Sequence, residues 1–161
     1  IQPRRFLKTF VSFVGKNLES LMENKIRIML VDDHAVVRSG LGAFLSVNPD
    51  LELIGEAENG EQAVVRAGIL KPDVILMDIN LPGISGIEAM KILHADPTTA
   101  HIPIIALSAN AVPRDIETAP DAGFFRYLTK PIKVAEFMDT LDVALKFSQT
   151  QAAFAAKKEP A

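Results

Sequence analysis

The stretch DVILMDINLPGISG, residues 73–86, restricts the architecture more than any other part of the chain. Val74, Ile75, Leu76 and Met77 run without a polar interruption, which suits a strand buried on both faces, as in a parallel sheet covered by helices. The run stops at Asp78, and Asn80, Pro82, Gly83 and Gly86 follow in a turn-rich segment. Asp78 is therefore expected at the carboxyl end of the strand. In open α/β sheets the loops leaving the strands diverge at that edge and form the crevice where ligands bind. A carboxylate placed there is a candidate nucleophile or metal ligand.

The same pattern recurs along the chain. Ile26 to Val31 is strand-like and stops at Asp32-Asp33-His34; Leu51 to Glu56 is a second strand. Ile102 to Leu107 ends in Ser108-Ala109-Asn110, and Phe124 to Leu128 ends in Thr129-Lys130-Pro131. Between these runs the apolar residues recur at helical spacing. Val37, Leu41, Phe44 and Leu45 do so until Asn48-Pro49-Asp50 breaks the pattern. Ala63, Ala67 and Leu70 follow an Asn59-Gly60 turn and are closed by Lys71-Pro72. A helix from about Ser85 to His94 is held by Ile87, Met90 and Leu93, with Ser85 as its cap. Pro113 can open a helix reaching to about residue 122, which Pro120 must shorten or kink. Val134, Phe137, Met138, Leu141 and Leu145 form the last amphipathic helix. Five strands alternating with helices imply a doubly wound five-stranded parallel sheet, because parallel neighbours need crossover connections.

Length allows one compact domain with appendages: 161 residues, 48% of them apolar. A net charge of -3 gives no broad attraction to nucleic acid, so no nucleic acid partner is expected. The absence of cysteine removes disulfide and thiolate chemistry and fits a cytoplasmic location. No run approaches the roughly 18 to 20 apolar residues that span a bilayer, so no membrane partner is expected either. The chain begins Ile1-Gln2-Pro3, and we read it as a fragment or processed product. Residues 3–23 read as an additional N-terminal helix, in which Leu7, Val11, Val14, Leu18 and Leu21 follow a heptad seam. Gly15 weakens that helix by about 1 kcal/mol relative to alanine, so self-association through it would give at most a weak homodimer. The expected division is a connector helix over residues 1–24, a domain over 25–147 and a frayed tail over 148–161.

Asp32 and Asp33 follow the first apolar strand, and Asp78, Ser108 and Lys130 each follow another, so all converge on one edge of the sheet. Three carboxylates in one crevice repel each other unless a hard divalent cation sits among them. Mg2+ fits, since it takes oxygen ligands from carboxylates, a backbone carbonyl and water. A phosphoryl group could then be bound beside Asp78, with the Ser108 hydroxyl and the Lys130 ammonium sharing its oxygens, and an aspartate could act as nucleophile. Each of these residues alone has an ordinary explanation as a cap, a turn residue or an exposed lysine. Their common placement at strand ends is the specific signal.

The order Asp32-Asp33, Asp78, Ser108, Lys130-Pro131, with Asp78-Ile-Asn-Leu-Pro-Gly-Ile-Ser-Gly86 between, resembles the receiver domain of two-component response regulators. The resemblance covers about residues 25–147. It implies a flavodoxin-like sheet in the order 2-1-3-4-5 and a phosphoacceptor at Asp78. It also implies Mg2+ ligation by the Asp33 and Asp78 carboxylates, by Asp32 through water, and by the backbone carbonyl of Asn80. Ser108 and Tyr127 match the family's switch pair, and Lys130 its lysine, usually followed by a cis proline, here Pro131. Phosphorylation would draw Ser108 inward and let Tyr127 turn in, remodelling the face made by the helix before Gly123, the fifth strand and the last helix.

The implied phosphodonor is the phosphohistidine of a histidine kinase or a histidine phosphotransfer protein, and the implied output a downstream protein partner. The domain would catalyse its own phosphorylation and dephosphorylation without being a kinase. The chain is a mosaic: Asp32-Asp33-His34-Ala-Val-Val-Arg-Ser-Gly-Leu resembles regulators that carry a helix-turn-helix output domain. Ile105-Ala-Leu-Ser-Ala-Asn and Ala122-Gly-Phe-Phe-Arg-Tyr-Leu-Thr-Lys-Pro resemble receivers of hybrid histidine kinases, so a module cut from such a kinase is an alternative. With about a dozen residues after the last helix, output is expected through a partner, a phosphorelay or a domain cut away. A haloacid-dehalogenase-like phosphatase also uses a strand-end aspartate, Mg2+, a hydroxyl and a lysine. Its Asp-x-Asp signature is met neither by Asp78-Ile-Asn80 nor by Asp32-Asp33-His34.

Overall fold

The computed structural model describes residues 14–15, 25–109 and 123–158, with side chains to residue 148 and at residue 150. Val14 and Gly15 are helical. The remainder of the expected N-terminal helix, and the expected helix from 113 to about 122, lie outside the described residues.

The elements in chain order are β1 (Ile26–Val31), α1 (Ala35–Ser46), β2 (Leu51–Ala57), α2 (Gly60–Leu70), β3 (Val74–Asp78), α3 (Gly86–Ala95), β4 (Ile104–Ser108), β5 (Arg126–Thr129) and α4 (Val134–Lys158). The strands form one parallel sheet in the order β2-β1-β3-β4-β5, the doubly wound arrangement expected from the alternation of runs. All five residues of β3 and of β4 are buried, which is why both read as unbroken apolar runs.

Alternation along the strands divides the core into two layers. Met29, Val31, Ile75, Met77, Ile104 and Ala106 face Ala63 and Ala67 of α2 and Ala89, Met90 and Leu93 of α3. Ile28, Leu30, Val74, Leu76, Ile105 and Leu107 face Leu45 of α1 and Phe137, Leu141 and Ala144 of α4. A one-residue slip of any strand would exchange its two sets of side chains between these layers, so the register is firmly specified.

Local chemistry sets the helix ends. Asn59 caps α2, its side chain accepting from the Gln62 amide at 2.8 Å. That helix ends at Lys71 with φ of 46°, a conformation usually left to glycine. Arg27 of β1 supports this end, donating to the Leu70 carbonyl at 2.8 Å and the Lys71 carbonyl at 2.9 Å. Ser85 opens α3 with a complete capping box: its hydroxyl accepts from the Glu88 amide, and the Glu88 carboxylate accepts from the Ser85 amide at 2.7 Å. These hydrogen bonds hold the Glu88 carboxyl below the ordinary glutamate range, the one with the Ser85 backbone contributing most.

Three boundaries differ from the sequence expectation by two residues or more. Strands β4 and β5 begin at Ile104 and Arg126, two residues after Ile102 and Phe124. Ile102 and Phe124 are nevertheless buried; they pack under the sheet before the ladder begins. The last helix does not fray at Ser148 but continues to Lys158. No glycine or proline lies between Ile132 and Glu159, and four alanines from Ala152 to Ala156 favour the helix. Among the described residues, no helix is long and apolar enough to cross a membrane.

Candidate functional site

The carboxyl ends of β1, β3 and β5 bring Asp32, Asp78 and Lys130 into direct contact. Asp32 is completely buried and Asp78 is 4% exposed. The ammonium of Lys130 bridges them, donating to Asp32 Oδ2 at 2.6 Å and Asp78 Oδ2 at 2.9 Å. The other oxygen of each carboxylate accepts a backbone amide two residues on, Asp32 Oδ1 from His34 and Asp78 Oδ1 from Asn80, both at 2.9 Å. These are Asx turns, which fix the carboxylates and the loops that leave them. Burial alone would lower the pKa of Lys130; the two hydrogen-bonded carboxylates together outweigh it and raise the value.

Asp33 stands beside this pair and is partly exposed. Oxygens of Asp32, Asp33 and Asp78 and a ring nitrogen of His34 lie within 4.8 Å of one another. With His34 neutral, three carboxylates face one ammonium, an excess of two negative charges at a water-accessible edge. Hard oxygen donors with uncompensated charge fit a divalent cation such as Mg2+. Arg38 of α1 anchors the β1 end, donating to the Asp32 carbonyl at 2.7 Å and to Glu58 Oε1 at 3.1 Å.

Ser108 ends β4 and is buried. Its neighbour Leu107 pairs with Asp78, so Ser108 lies one step further toward the crevice. The Lys130 amide donates to the Ser108 carbonyl at 2.8 Å, which ties the β5 end to β4, and the Lys130–Pro131 peptide is cis. Tyr127 is not among the carboxylates. It pairs with Ala106, two residues before Ser108. Its ring meets Phe124 edge-on at 5.6 Å and 75°, and its hydroxyl oxygen is buried.

Two residues at the site were not singled out in the sequence. His34 lies with Nδ1 3.0 Å from Asp33 Oδ1 and 3.2 Å from Asp32 Oδ1. Glu61, at the start of α2, reaches the loop after Asp78, its carboxylate accepting from the Ile84 amide at 3.2 Å. It lies against Gly83, whose φ of 76° completes the Pro82-Gly83 turn. The adjacency of His34 to the acidic pair was the available signal for the first. Glu61 acts across 23 residues of sequence and gives no local signal.

Gly86 closes this loop. Its amide donates to the Ile79 carbonyl at 2.9 Å, and a Cβ there would collide with the Asp78 carbonyl oxygen and lie 2.9 Å from Ile79 Cα. Neither backbone can yield without moving Asp78. Gly86→Ala is expected to cost about 1–3 kcal/mol in urea unfolding, as overpacking does, and to weaken cation binding. An unchanged urea midpoint would show that the contact is not tight.

Residues 28–142 match the response regulator receiver domain. This chain belongs to that family. It is 42% identical over 121 residues to the transcriptional regulatory protein LiaR of Bacillus subtilis, covering 75% of this chain and 56% of LiaR. It is 35% identical over 117 residues to the nitrate/nitrite response regulator protein NarL of Escherichia coli K12, covering 73% of this chain and 53% of NarL. The chain therefore spans little more than half the length of these relatives. Among solved structures it resembles the receiver domain of the sensor histidine kinase PA1611 of Pseudomonas aeruginosa. The TM-score is 0.66 at 33% identity, over 78% of this chain and 98% of that one. That receiver carries a magnesium ion coordinated in its active site cleft. A transcriptional regulator and the receiver of a sensor kinase both stand among its relatives.

Proposed function

We propose that this receiver domain accepts a phosphoryl group from a partner's phosphohistidine onto Asp78 and thereby changes the surface it offers to protein partners. The observation that carries this reading is the Lys130 ammonium bridging two buried carboxylates of β1 and β3. It places a fixed positive charge at the oxygen of Asp78 where negative charge must be tolerated. In the transfer, a carboxylate oxygen of Asp78 forms the new bond to phosphorus. The bond between phosphorus and the donor's imidazole nitrogen breaks, and the imidazole leaves with its electron pair and takes up a proton. Lys130 offsets charge on the phosphoryl oxygens and the Ser108 hydroxyl donates to one of them, so catalysis is positioning and charge neutralisation. Asp33, Asp78, Asp32 through water and the Asn80 carbonyl would hold Mg2+, which when bound supplies further neutralisation. Water attacking the same phosphorus would return Asp78 to a carboxylate, without a separate enzyme.

Val37, Leu41, Ala109, Pro131 and Ile132 line an apolar recess of about 420 Å³ against Lys130. A donor protein seated there would bring its histidine to Asp78. Ser108 and Tyr127 would read the modification, shifting a balance between two pre-existing arrangements. Intact mass after incubation with acetyl phosphate tests the reaction. One added phosphoryl group with Mg2+ and none with EDTA is expected; an unchanged mass in both would overturn it.

A further inference from the structure

The imidazole of His34 has no role in the chemistry above, yet it points at the carboxylates. As the N-cap residue of α1 it makes no side-chain capping bond, and its side chain is 67% exposed. The Nδ1 atom nevertheless lies 3.0 Å from Asp33 Oδ1 and 3.2 Å from Asp32 Oδ1. Two ligand atoms on adjacent corners of an octahedron, each about 2.1 Å from the ion, are about 3.0 Å apart. The nitrogen and the Asp33 oxygen therefore already have the spacing of neighbouring ligands around one cation. We infer that His34 is a conditional ligand of this site, left aside when Mg2+ is bound and recruited through Nδ1 when a transition-metal dication such as Mn2+ or Co2+ takes its place.

The chemistry explains the condition. Mg2+ prefers oxygen and holds its waters, whereas affinity for imidazole rises along the first transition series. A cation ligated only by carboxylate, carbonyl and water discriminates little among such ions. Addition of one nitrogen favours the softer ones. The backbone amide of His34 donates to Asp32 Oδ1 at 2.9 Å, so the ring is tethered close to the site without being locked into it. A neutral imidazole donating a hydrogen bond to Asp33 would give similar distances, and the experiment must separate the two.

This inference rests on the reading of the carboxylates as a cation site. Calorimetric titration of the whole chain with MgCl2 and CoCl2, above the ordinary imidazole pKa, compares the wild type with His34→Ala and His34→Gln. Both variants are expected to lose roughly tenfold or more in Co2+ affinity, the scale of losing a supporting group at a metal site, with Mg2+ affinity unchanged. Pulsed EPR of bound Mn2+ should show imidazole nitrogen coupling in the wild type and none in His34→Gln. Equal losses for both ions, or unchanged Co2+ affinity with no nitrogen coupling, would overturn the inference and leave His34 a hydrogen-bond partner. If the wild type binds neither ion, the cation site itself is wrong, and the inference falls with it.

Discussion

Asp78→Asn is expected to take up no detectable phosphoryl group from acetyl phosphate while remaining folded. The carboxamide keeps the shape of the side chain and can still accept the Asn80 amide that Asp78 Oδ1 now accepts at 2.9 Å. It lacks the anionic oxygen that must bond to phosphorus, and no neighbour replaces it. Asp32 is wholly buried and already committed to Lys130 and to His34. Asp33 is the more exposed carboxylate and has the His34 ring beside it, 3.0 Å away. A variant that gained a phosphoryl group at the wild-type rate would move the acceptor elsewhere.

Removal of the Lys130 charge should have the largest effect on stability. The Asp32 and Asp78 side chains are 0% and 6% exposed, and both rest on one ammonium. Lys130→Met keeps most of the apolar stem and leaves the two carboxylates facing each other. Breaking a buried ion pair in this way costs about 3–5 kcal/mol, and the lower end applies at this partly hydrated edge. Urea unfolding in EDTA should show that loss, and Mg2+ should restore much of it by supplying the missing charge. The pH dependence has a definite sign. A lysine whose folded pKa is raised contributes stability that is fully present below its ordinary value of 10.5 and is lost as pH rises through the raised value. Wild type and Lys130→Met should therefore converge only above that ordinary value. Equal stability of the two at neutral pH in EDTA would show that the bridge contributes nothing.

The ends of β3 and β4 are legible because strands buried on both faces leave no polar residue until they emerge, so Asp78 and Ser108 mark the edge by interruption alone; β5, with Arg126 exposed, gives Lys130 a weaker signal. Apolar runs report burial and not hydrogen bonding, which is why Ile102 and Phe124 were read into strands that begin at Ile104 and Arg126. The end of α4 is poorly marked in the sequence because its last turns carry little apolar periodicity, whereas alanine propensity favours a helix through Ala152 to Ala156. Glu61 and Arg27 carry no local sequence signal, for another reason. Each acts on backbone from a distant element, Glu61 on Ile84 and Arg27 on Leu70, and such contacts exist only once the sheet has assembled. The roles of Ser108 and Tyr127 came from family resemblance, since nothing in their spacing distinguishes a reporter from a core residue.

Asp78, and neither of the other two carboxylates, is expected to carry the phosphoryl group. Borohydride reduces an aspartyl phosphate to homoserine, so the acceptor can be read by peptide mass after treatment with acetyl phosphate and Mg2+. Homoserine at position 78, with Asp32 and Asp33 intact and no product in EDTA, is the predicted result. Homoserine at position 32 or 33, or an equal yield in EDTA, would contradict it.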